Sequence, residues 1–477
     1  MNKESETTRL PNCRLAVVIM AAGKGTRLKS RRPKVLHEIG GRPLLSHVIA
    51  SAKELAEGDD IHVVIGHEAK LVRETVGSTG VQFVEQKEQR GTGHAIASCR
   101  EAIAEYDHVL VLSGDVPLIT VNTLQHLMTM HLAEGAAMTI LTIMPDNPTG
   151  YGRIIRRSPD LPEVNAIVEQ PSLKPGQESI REVNSGIYAF KVGPLLAHLD
   201  KLSNRNAHGE FYLTDMAGHL HASGEKVAAL LTATAEEVLG ANTIAELVAL
   251  DAKVRATTAS RLMANGVTIF KPETCVIDTD VEIEPDTIIE PFVQLLGKTK
   301  IGTDCHIRSY TVIENCRLGN SVLIRQGCIL AESEVAEGAR IGPYAHLRPG
   351  SEIGPEAHVG NFVETKKAKL GRAAKASHLT YLGDAEVGAG TNIGAGVITC
   401  NYDGVHKHRT HIGEGAFVGS DSTLVAPVTI GDGAFIGAGS CITRDVPSGA
   451  LALGRSGQVI KEGWAVEKRA RQEEREK

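Results

Sequence analysis

The sequence has few aromatic residues, no long apolar run and no excess of basic charge. Only 4% of its 477 residues are aromatic, with a single tryptophan, which argues against an aromatic platform for stacking nucleic-acid bases. No apolar run reaches the roughly 18 residues of a membrane-spanning helix. The net charge is −6, so the chain lacks the basic footprint of a DNA- or RNA-binding protein. We therefore expect no nucleic-acid partner and no membrane span.

The eight cysteines are scattered, and no two of them are spaced as C-x-x-C. This spacing argues against a zinc site or a dithiol redox centre. In a chain of this length, reduced thiols in the cytosol are a better expectation than a disulfide scaffold. The sequence therefore predicts a cytoplasmic protein.

The first half of the chain alternates short apolar runs with helix-like stretches. The apolar runs are Leu15–Met20, Ile61–Ile65, His108–Leu112 and Met138–Ile143, and the helix-like stretches include Leu44–Leu55 and Val121–Leu132. Buried runs separated by helices are typical of a Rossmann-like α/β domain, in which helices cover both faces of a parallel sheet. Such sheets bind ligands at the carboxyl ends of their strands.

The second half has a period of six residues. Aliphatic side chains recur at every sixth position from Ile301 to Ile313, from Ile341 to Val359 and from Ile412 to Ile442. Of the 49 glycines, 28 lie in residues 244–477, where tight corners favour a residue without a Cβ. A hexapeptide period predicts a parallel β-helix whose aliphatic residues point inward.

Residues 244–265 have helical spacing and end at Asn265-Gly266, a helix stop signal. We therefore expect a first domain over 1–243, a linker helix over 244–265 and a β-helix domain over 266–477. The last segment, 465–477, is densely charged and should be a solvated helix or a frayed tail. Residues 399–411 interrupt the hexads, and a loop that leaves a solenoid is a candidate functional element.

Two lysines follow the first predicted strand. That strand runs into the turn Gly23-Lys24-Gly25, and Lys34 comes ten positions after Lys24, behind a proline. Backbone N–H groups in a glycine turn can hold a phosphate, and positioned cations stabilise the charge of a triphosphate. The glycine spacing matches neither the dinucleotide fingerprint nor the P-loop. The alternative is that these are two ordinary surface lysines.

Asp115 follows the strand predicted at 108–112 and lies beside Gly114. A carboxylate at the end of a strand suits Mg²⁺, which takes one or two protein carboxylates together with phosphates and water. The alternative is a turn aspartate that accepts hydrogen bonds from local backbone N–H groups.

These motifs carry a resemblance to known families. Residues 20–36 resemble the signature of the sugar-1-phosphate nucleotidyltransferases, and Gly114-Asp115 resembles their metal-binding element. The second half resembles the hexapeptide-repeat acyltransferases. Over residues 14–464 the chain resembles the bacterial family of bifunctional N-acetylglucosamine-1-phosphate uridyltransferases and glucosamine-1-phosphate N-acetyltransferases. The most specific matching segments are 89–95, 148–154, 377–384, 392–396 and 399–404.

For the first domain, the resemblance implies that UTP and N-acetylglucosamine 1-phosphate react with the help of Mg²⁺ and that pyrophosphate is released. The implied nucleotide and sugar contacts are Met20, Ala21, Ala22, Gly23, Lys24, Arg27, Lys34, Gln86, Gly91, Thr92, Ser113, Gly114, Asp115, Gly152, Glu169, Asn184 and Asn242. Asp115 and Asn242 match the two protein ligands of Mg²⁺. The sequence departs from the family at Ser113, where tyrosine is common, and at Thr243-Ile244, where the family usually has Asn-Arg.

For the second domain, the resemblance implies that acetyl-CoA acetylates the amine of glucosamine 1-phosphate. His378 matches the catalytic base, and Glu364 matches an acidic group that orients it. The implied sugar-phosphate contacts are Arg348, Lys366, Tyr381 and Asn392, and the implied acetyl-CoA contacts are Ala395, Asn401, Tyr402, Ser420, Ala438 and Arg455. Histidine suits the role because it titrates near neutrality, although a lone histidine in a chain with 19 of them is more often structural.

The resemblance further implies a left-handed, homotrimeric β-helix that holds CoA between subunits, and a role in cell-wall peptidoglycan synthesis. One alternative is a nucleotidyltransferase whose β-helix only oligomerises or regulates, as in glucose-1-phosphate adenylyltransferases. Another is a solenoid that serves as a binding or structural module. His378 together with Asn401-Tyr402 argues against the first alternative, because a scaffold coil needs neither. The 399–411 insertion and Lys366 argue against the second, because a passive coil would continue its hexads.

Overall fold

The computed structural model describes residues 13–158, 161–206, 208–232 and 234–476. The chain forms two compact units, Met1–Val254 and Arg255–Lys477. The division falls inside the segment for which the sequence predicts a linker helix, and that helix is present over Ile244–Ala264.

A nine-stranded sheet forms the centre of the first unit, and a two-stranded sheet lies beside it. The strands are β1 (Leu15–Met20), β2 (Glu38–Ile39), β3 (Arg42–Pro43), β4 (Ile61–Ile65), β5 (Gln82–Glu85), β6 (His108–Ser113), β7 (Met138–Ile143), β8 (Arg153–Arg156), β9 (Val164–Val168), β10 (Val183–Lys191) and β11 (Val227–Leu231). The main sheet has the order β11-β7-β10-β6-β1-β4-β5, with β8 pairing with β10 and β9 with β8.

Helices cover both faces of this sheet. They are α1 (Leu44–Lys53), α2 (Ala69–Val76), α3 (Thr92–Ser98), α4 (Arg100–Ile103), α5 (Val121–Glu134), α6 (Val192–Leu199) and α7 (Asp215–Ala222), and α8 (Ile244–Ala264) follows. Alternate residues of β1 contribute to different cores: Val17 and Ile19 pack in one cluster, and Ala16 and Val18 in another. A strand buried on both faces has to be apolar throughout, which explains the continuous run.

The four predicted strands and two predicted helices of this unit are confirmed. One feature was not predicted: β10 runs antiparallel to both β6 and β7. An apolar run reports that a strand is buried but not its direction, so the sequence pattern predicted only a parallel sheet.

The second unit is a left-handed parallel β-helix with three flat faces. The first face contains Thr268–Ile269, Ile288–Ile289, His306–Ile307, Leu323–Ile324, Arg340–Ile341, His358–Asn361, Lys375–His378, Asn392–Ile393, Phe417–Val418, Phe435–Ile436 and Leu451–Ala452. The second contains Val276–Ile277, Gln294–Leu296, Val312–Glu314, Ile329–Ala331, His346–Leu347, Glu364–Lys366, Tyr381–Gly383, Ile398–Cys400, Thr423–Val425 and Cys441–Ile442. The third contains Glu282–Ile283, Lys300–Ile301, Arg317–Leu318, Glu334–Val335, Glu352–Ile353, Lys369–Leu370, Ala385–Val387, Thr410–Ile412 and Val428–Ile430.

The hexad positions fill the interior of the solenoid, as predicted. Residues of all three series, such as Ile307, Val359 and Ile436, are fully buried in one continuous core. The interruption at 399–411 is shorter than predicted. Thr399 and Thr410 are buried within strands, so the chain leaves the coil only between them, over residues 401–409.

The charged C-terminal segment forms helix α9 (Trp464–Arg475), which has no buried residue, as expected of a solvated helix. Among the described residues, no helix combines the length and the apolar character needed to span a membrane.

Candidate active sites

A cavity of about 690 Å³ opens at the carboxyl ends of β1 and β6. Thirteen of the predicted nucleotide and sugar contacts line it: Met20, Ala21, Ala22, Gly23, Lys24, Arg27, Lys34, Gln86, Gly91, Thr92, Ser113, Asp115 and Asn242. Gly114 lies at its edge, where its N–H donates to the carbonyl of Met20 over 2.9 Å. Gln89 and Glu210 also line the cavity, and no sequence signal had singled out Glu210.

Lys34 joins the two residues predicted to be metal ligands. Its ammonium donates to Oδ1 of Asn242 over 2.9 Å and forms an ion pair with the carboxylate of Asp115. Gly240 packs closely against Asp115, because a Cβ at that position would lie 3.2 Å from both the carbonyl oxygen and Oδ2 of Asp115. Oxygen atoms of Asp115 and Asn242, which are far apart in the sequence, therefore both contact the ammonium of Lys34.

The start of α8 holds Asn242 in place. The carboxylate of Glu246 accepts from the N–H of Asn242 over 2.6 Å and from that of Thr243 over 3.3 Å. Oγ1 of Thr243 accepts from the N–H of Glu246 over 3.2 Å. This is a capping box, and it gives the Thr243 that departs from the family pattern a defined structural role.

Gln86 is buried beneath the turn that precedes α3. Its Nε2 contacts the carbonyl of Gly91 at 3.2 Å and Nδ1 of His94 at 3.0 Å. The side chain therefore ties the end of β5 to the Gly91-Thr92 turn.

Gly152, Glu169 and Asn184 form a separate group outside the lining of the cavity. Oε1 of Glu169 lies 3.3 Å from where a Cβ on Gly152 would be, and the N–H of Asn184 donates to the carbonyl of Gly152 over 2.9 Å. Thr214 donates to Glu169 over 3.0 Å. Burial raises the pKa of Glu169 above its ordinary value.

In the second unit, His378 lies at the exposed end of a first-face strand. Its Nδ1 contacts Oδ1 of Asn361 at 2.5 Å. From the sequence, Glu364 is predicted to orient this ring. In the structure, Glu364 instead accepts a hydrogen bond from Nη1 of Arg348 over 2.8 Å. The reason is register, because Asn361 stacks on His378 whereas Glu364 stacks on Tyr381, on the next face.

Three cations gather beside Glu364. The pKa of Lys366 is lowered, first by its contact with the side chain of Lys407 and then by the positive charge of Arg348. Lys407 belongs to the 401–409 loop and was not predicted individually. The interruption of the hexads was the signal that marked its neighbourhood.

The 401–409 loop is anchored at its base and at its tip. Asn401 donates to Oδ2 of Asp384 over 2.5 Å. Asp403 accepts from His408 and from the N–H groups of His406 and Val405, and these hydrogen bonds lower its pKa to about 2. The exposed Tyr402 ring has its hydroxyl bonded to the carbonyl of Gly404.

Ala395, Ser420 and Ala438 occupy equivalent positions on successive coils. Backbone bonds link these rungs, since Asp421 donates to Ala395 and Gly439 donates to Ser420. The side chain of Arg455 reaches the same corner: its Cδ lies 3.8 Å from where a Cβ on Gly439 would be. Tyr381 lies on the second face, in register with Glu364, and Asn392 lies on the first face, in register with Lys375.

A groove of about 1,100 Å³ also runs along the third face of the solenoid. Two ion pairs lie along it, Lys300 with Glu282 at 2.6 Å and Lys369 with Glu352 at 2.9 Å. None of the predicted site residues lines it.

Comparison with known proteins bears on both units. Residues 17–174 match the model of the MobA-like NTP transferase domain, and residues 280–315 and 409–444 match the bacterial transferase hexapeptide (six repeats). A relative named bifunctional protein GlmU, from Koribacter versatilis, is 60% identical over 97% of this chain and 99% of its own length. Relatives of the same name from Solibacter usitatus and Trichlorobacter lovleyi are 50% and 46% identical, each over 95% of this chain and 97% and 98% of their own lengths.

These matches confirm the expected pairing of a nucleotidyltransferase domain with a hexapeptide acyltransferase domain. The chain is a nucleotide-binding, bifunctional transferase that acts on small molecules, and it belongs to the family of bifunctional GlmU proteins.

Proposed function

We propose that the first unit transfers UMP from UTP to N-acetylglucosamine 1-phosphate in the cavity beside β1 and β6. The observation that carries this proposal is the meeting of Asp115, Asn242 and Lys34. A carboxylate and an amide oxygen that already share one cation fit Mg²⁺, which prefers oxygen ligands. No group of three or more His, Cys, Asp or Glu side chains forms a metal site in the described part of the chain, which agrees with a metal that takes its other ligands from phosphates and water.

Bound at Asp115 and Asn242, Mg²⁺ would neutralise charge on the triphosphate. Lys34 then exchanges these two oxygens for phosphate oxygens, and the exposed Lys24 and Arg27 add positive charge at the rim. Met20, Ala21, Ala22, Gly23, Gly91, Thr92 and Gln86 shape the site around the nucleotide. Gly152, Glu169 and Asn184 hold the sugar, so that its phosphate oxygen attacks the α-phosphorus in line and pyrophosphate leaves. Catalysis here is positioning plus charge neutralisation.

We propose that the second unit acetylates glucosamine 1-phosphate with His378 as the general base. The amine is largely protonated at neutral pH and must lose a proton before it can attack a thioester. Nε2 of His378 takes that proton, the nitrogen bonds to the acetyl carbonyl carbon, and the C–S bond of acetyl-CoA breaks. The leaving thiolate then takes up a proton. The tie between Nδ1 and Asn361 supports this role because it leaves Nε2 directed away from the protein contact.

The three cations beside Glu364 support a phosphate-binding role. The positive charges of Lys407 and Arg348 lower the pKa of Lys366, and the phosphate of glucosamine 1-phosphate would offset their repulsion. Tyr381, which stacks on Glu364, and Asn392 on the first face would contact the sugar.

We propose that acetyl-CoA lies along the corner formed by Ala395, Ser420 and Ala438. The small side chains leave room for an extended ligand, and Arg455 at the end of the row can pair with a phosphate. Asn401 and Tyr402 in the anchored loop would contact the thioester end.

An exposed apolar ridge supports a homotrimer. Five bulky residues at one corner of the solenoid have positive φ and are 47–66% exposed: Phe292, Tyr310, Tyr344, Phe362 and Leu379. A left-handed conformation costs an ordinary residue roughly 1–2 kcal/mol, and a lone chain gains nothing by presenting apolar side chains to water there. Packing against a second copy would offset that cost.

All eight cysteines are free thiols, which supports the cytoplasm as the location of the protein. Its product, UDP-N-acetylglucosamine, would serve peptidoglycan synthesis.

Two assays on the full chain test the function. UTP, N-acetylglucosamine 1-phosphate and Mg²⁺ should release pyrophosphate, and acetyl-CoA with glucosamine 1-phosphate should release free CoA thiol. A chain that releases pyrophosphate but no CoA would leave the solenoid with only an oligomerising role.

A further inference from the structure

The imidazole of His378 is held by a neutral partner. Oδ1 of Asn361 lies 2.5 Å from its Nδ1, and the two residues stack in register on adjacent coils. The N–H of Leu379 donates to the carbonyl of Asn361 over 3.0 Å, so the backbone fixes the pair as well.

The sequence around Asn361 permits this close approach. A Cβ on Gly360 would lie 1.9 Å from the carbonyl oxygen of Ser377, so a glycine is required where the two coils meet. Asn361 and His378 directly follow this point of contact and are paired in register, so their backbones are held side by side.

The hydrogen-bonding partner of His378 determines which of its two ring nitrogens carries the hydrogen. The amide Oδ1 only accepts hydrogen bonds, so Nδ1 of His378 must carry the hydrogen. Nε2 is then the ring nitrogen with a free lone pair, which is the form a general base requires.

The charge of the partner matters as much as its geometry. A carboxylate beside Nδ1 would favour the protonated ring, whereas an amide adds no charge. His358 and Lys375 lie on the same face as His378, and His358 interacts electrostatically with His378 and with Arg325 and Arg340. Glu364 lies on the next face and is tied to Arg348. None of these supplies a hydrogen-bonding carboxylate to the imidazole among the described residues.

We propose that Asn361, and not Glu364, is the positioning residue of the acetyl-transfer reaction, and that it sets the tautomer of His378 by holding the hydrogen on Nδ1. This inference rests on the proposed role of His378 as general base.

Full-chain variants Asn361→Asp and Asn361→Leu test it through the pH dependence of kcat. In Asn361→Asp, the new carboxylate should move the acid limb of the profile to higher pH by about 1 unit or more, while activity returns at high pH because an acceptor for Nδ1 is retained. Asn361→Leu has no acceptor and should lose kcat at every pH, by up to the ~10²–10⁴-fold that general-base catalysis typically contributes. The KM for acetyl-CoA should stay unchanged in both.

The matched control is Asn320→Asp, a solenoid asparagine whose Oδ1 accepts from the N–H of Thr303 over 3.1 Å and whose variant should keep the wild-type profile. Thermal unfolding checks that all variants fold. If Asn361→Asp lowers kcat by the same factor at every pH, Asn361 is only structural and the inference is wrong. If His378→Ala keeps wild-type turnover, the proposed base itself is wrong, and the two failures are thus distinguishable.

Discussion

Nζ of Lys34 donates a hydrogen bond to Oδ1 of Asn242 over 2.9 Å, although 208 positions separate the two residues in the sequence. The same ammonium pairs with Asp115, and the Lys34 side chain is only 15% exposed. A lysine that occupies both predicted metal ligands must be displaced before a metal ion can bind there. The phosphates of UTP offer the displaced ammonium a new partner, so nucleotide and metal binding should favour each other.

We expect Asp115→Asn to abolish uridylyl transfer and to leave acetyl transfer unchanged. The substitution keeps the shape of the side chain but removes the negative charge that the metal ion and Lys34 share. Pyrophosphate release and CoA release from the same preparation measure both activities. Asp200→Asn is the matched control, because Asp200 forms an exposed ion pair with Arg100. Normal uridylyl transfer by Asp115→Asn at ordinary Mg²⁺ would exclude Asp115 as a metal ligand.

Lys34→Met should bind Mn²⁺ more tightly than the wild type when no nucleotide is present, because no ammonium competes for Asp115 and Asn242. Its KM for UTP should rise, since a phosphate contact is lost. Electron paramagnetic resonance of free Mn²⁺ during a titration measures the affinity directly. Lys24→Met is the control: Lys24 lies at the same cavity and should change UTP binding alone. Weaker Mn²⁺ binding by Lys34→Met would contradict the competition.

The sequence was most informative where structure is local. The inward residues of the solenoid were predicted because each hexad repeats one short pattern, and the four strands of the first unit because a buried strand is apolar throughout. The direction of β10 was missed, since an apolar run carries no direction. The partner of His378 was missed because register between coils, and not residue type, decides whether Asn361 or Glu364 faces the ring.

Lys407→Ala should raise the KM for glucosamine 1-phosphate while kcat at saturation stays near the wild-type value. The side chain contacts Lys366 and would bind the phosphate, which takes no part in the transfer of the acetyl group. Initial rates over a range of sugar phosphate concentrations separate the two parameters. Lys369→Ala removes a lysine that pairs with Glu352 on the third face and should change neither parameter. A loss confined to kcat would place Lys407 in the chemical step instead.

The domain limits predicted from the sequence, 1–243 and 266–477, should give less stable fragments than limits that keep α8. Leu250 and Val254 pack with Ile39 and Leu44 in a core of the first unit, whereas Ala259 and Leu262 pack in the core of the solenoid. Fully burying a large aliphatic side chain contributes about 1.5–3 kcal/mol to the free energy of unfolding. A cut before α8 therefore destabilises the fragment of the first unit, and a cut after α8 destabilises the fragment of the solenoid.

Fragments 1–264 and 244–477, which both contain the whole helix, should therefore fold and keep their separate activities. Fragments 1–243 and 266–477 should unfold at lower temperature. Thermal unfolding of the four fragments, together with both activity assays, measures this difference. Equal stability of the 1–243 and 1–264 fragments would show that α8 adds nothing to the first unit, and loss of both activities from well-folded fragments would contradict the division into two independent catalytic units.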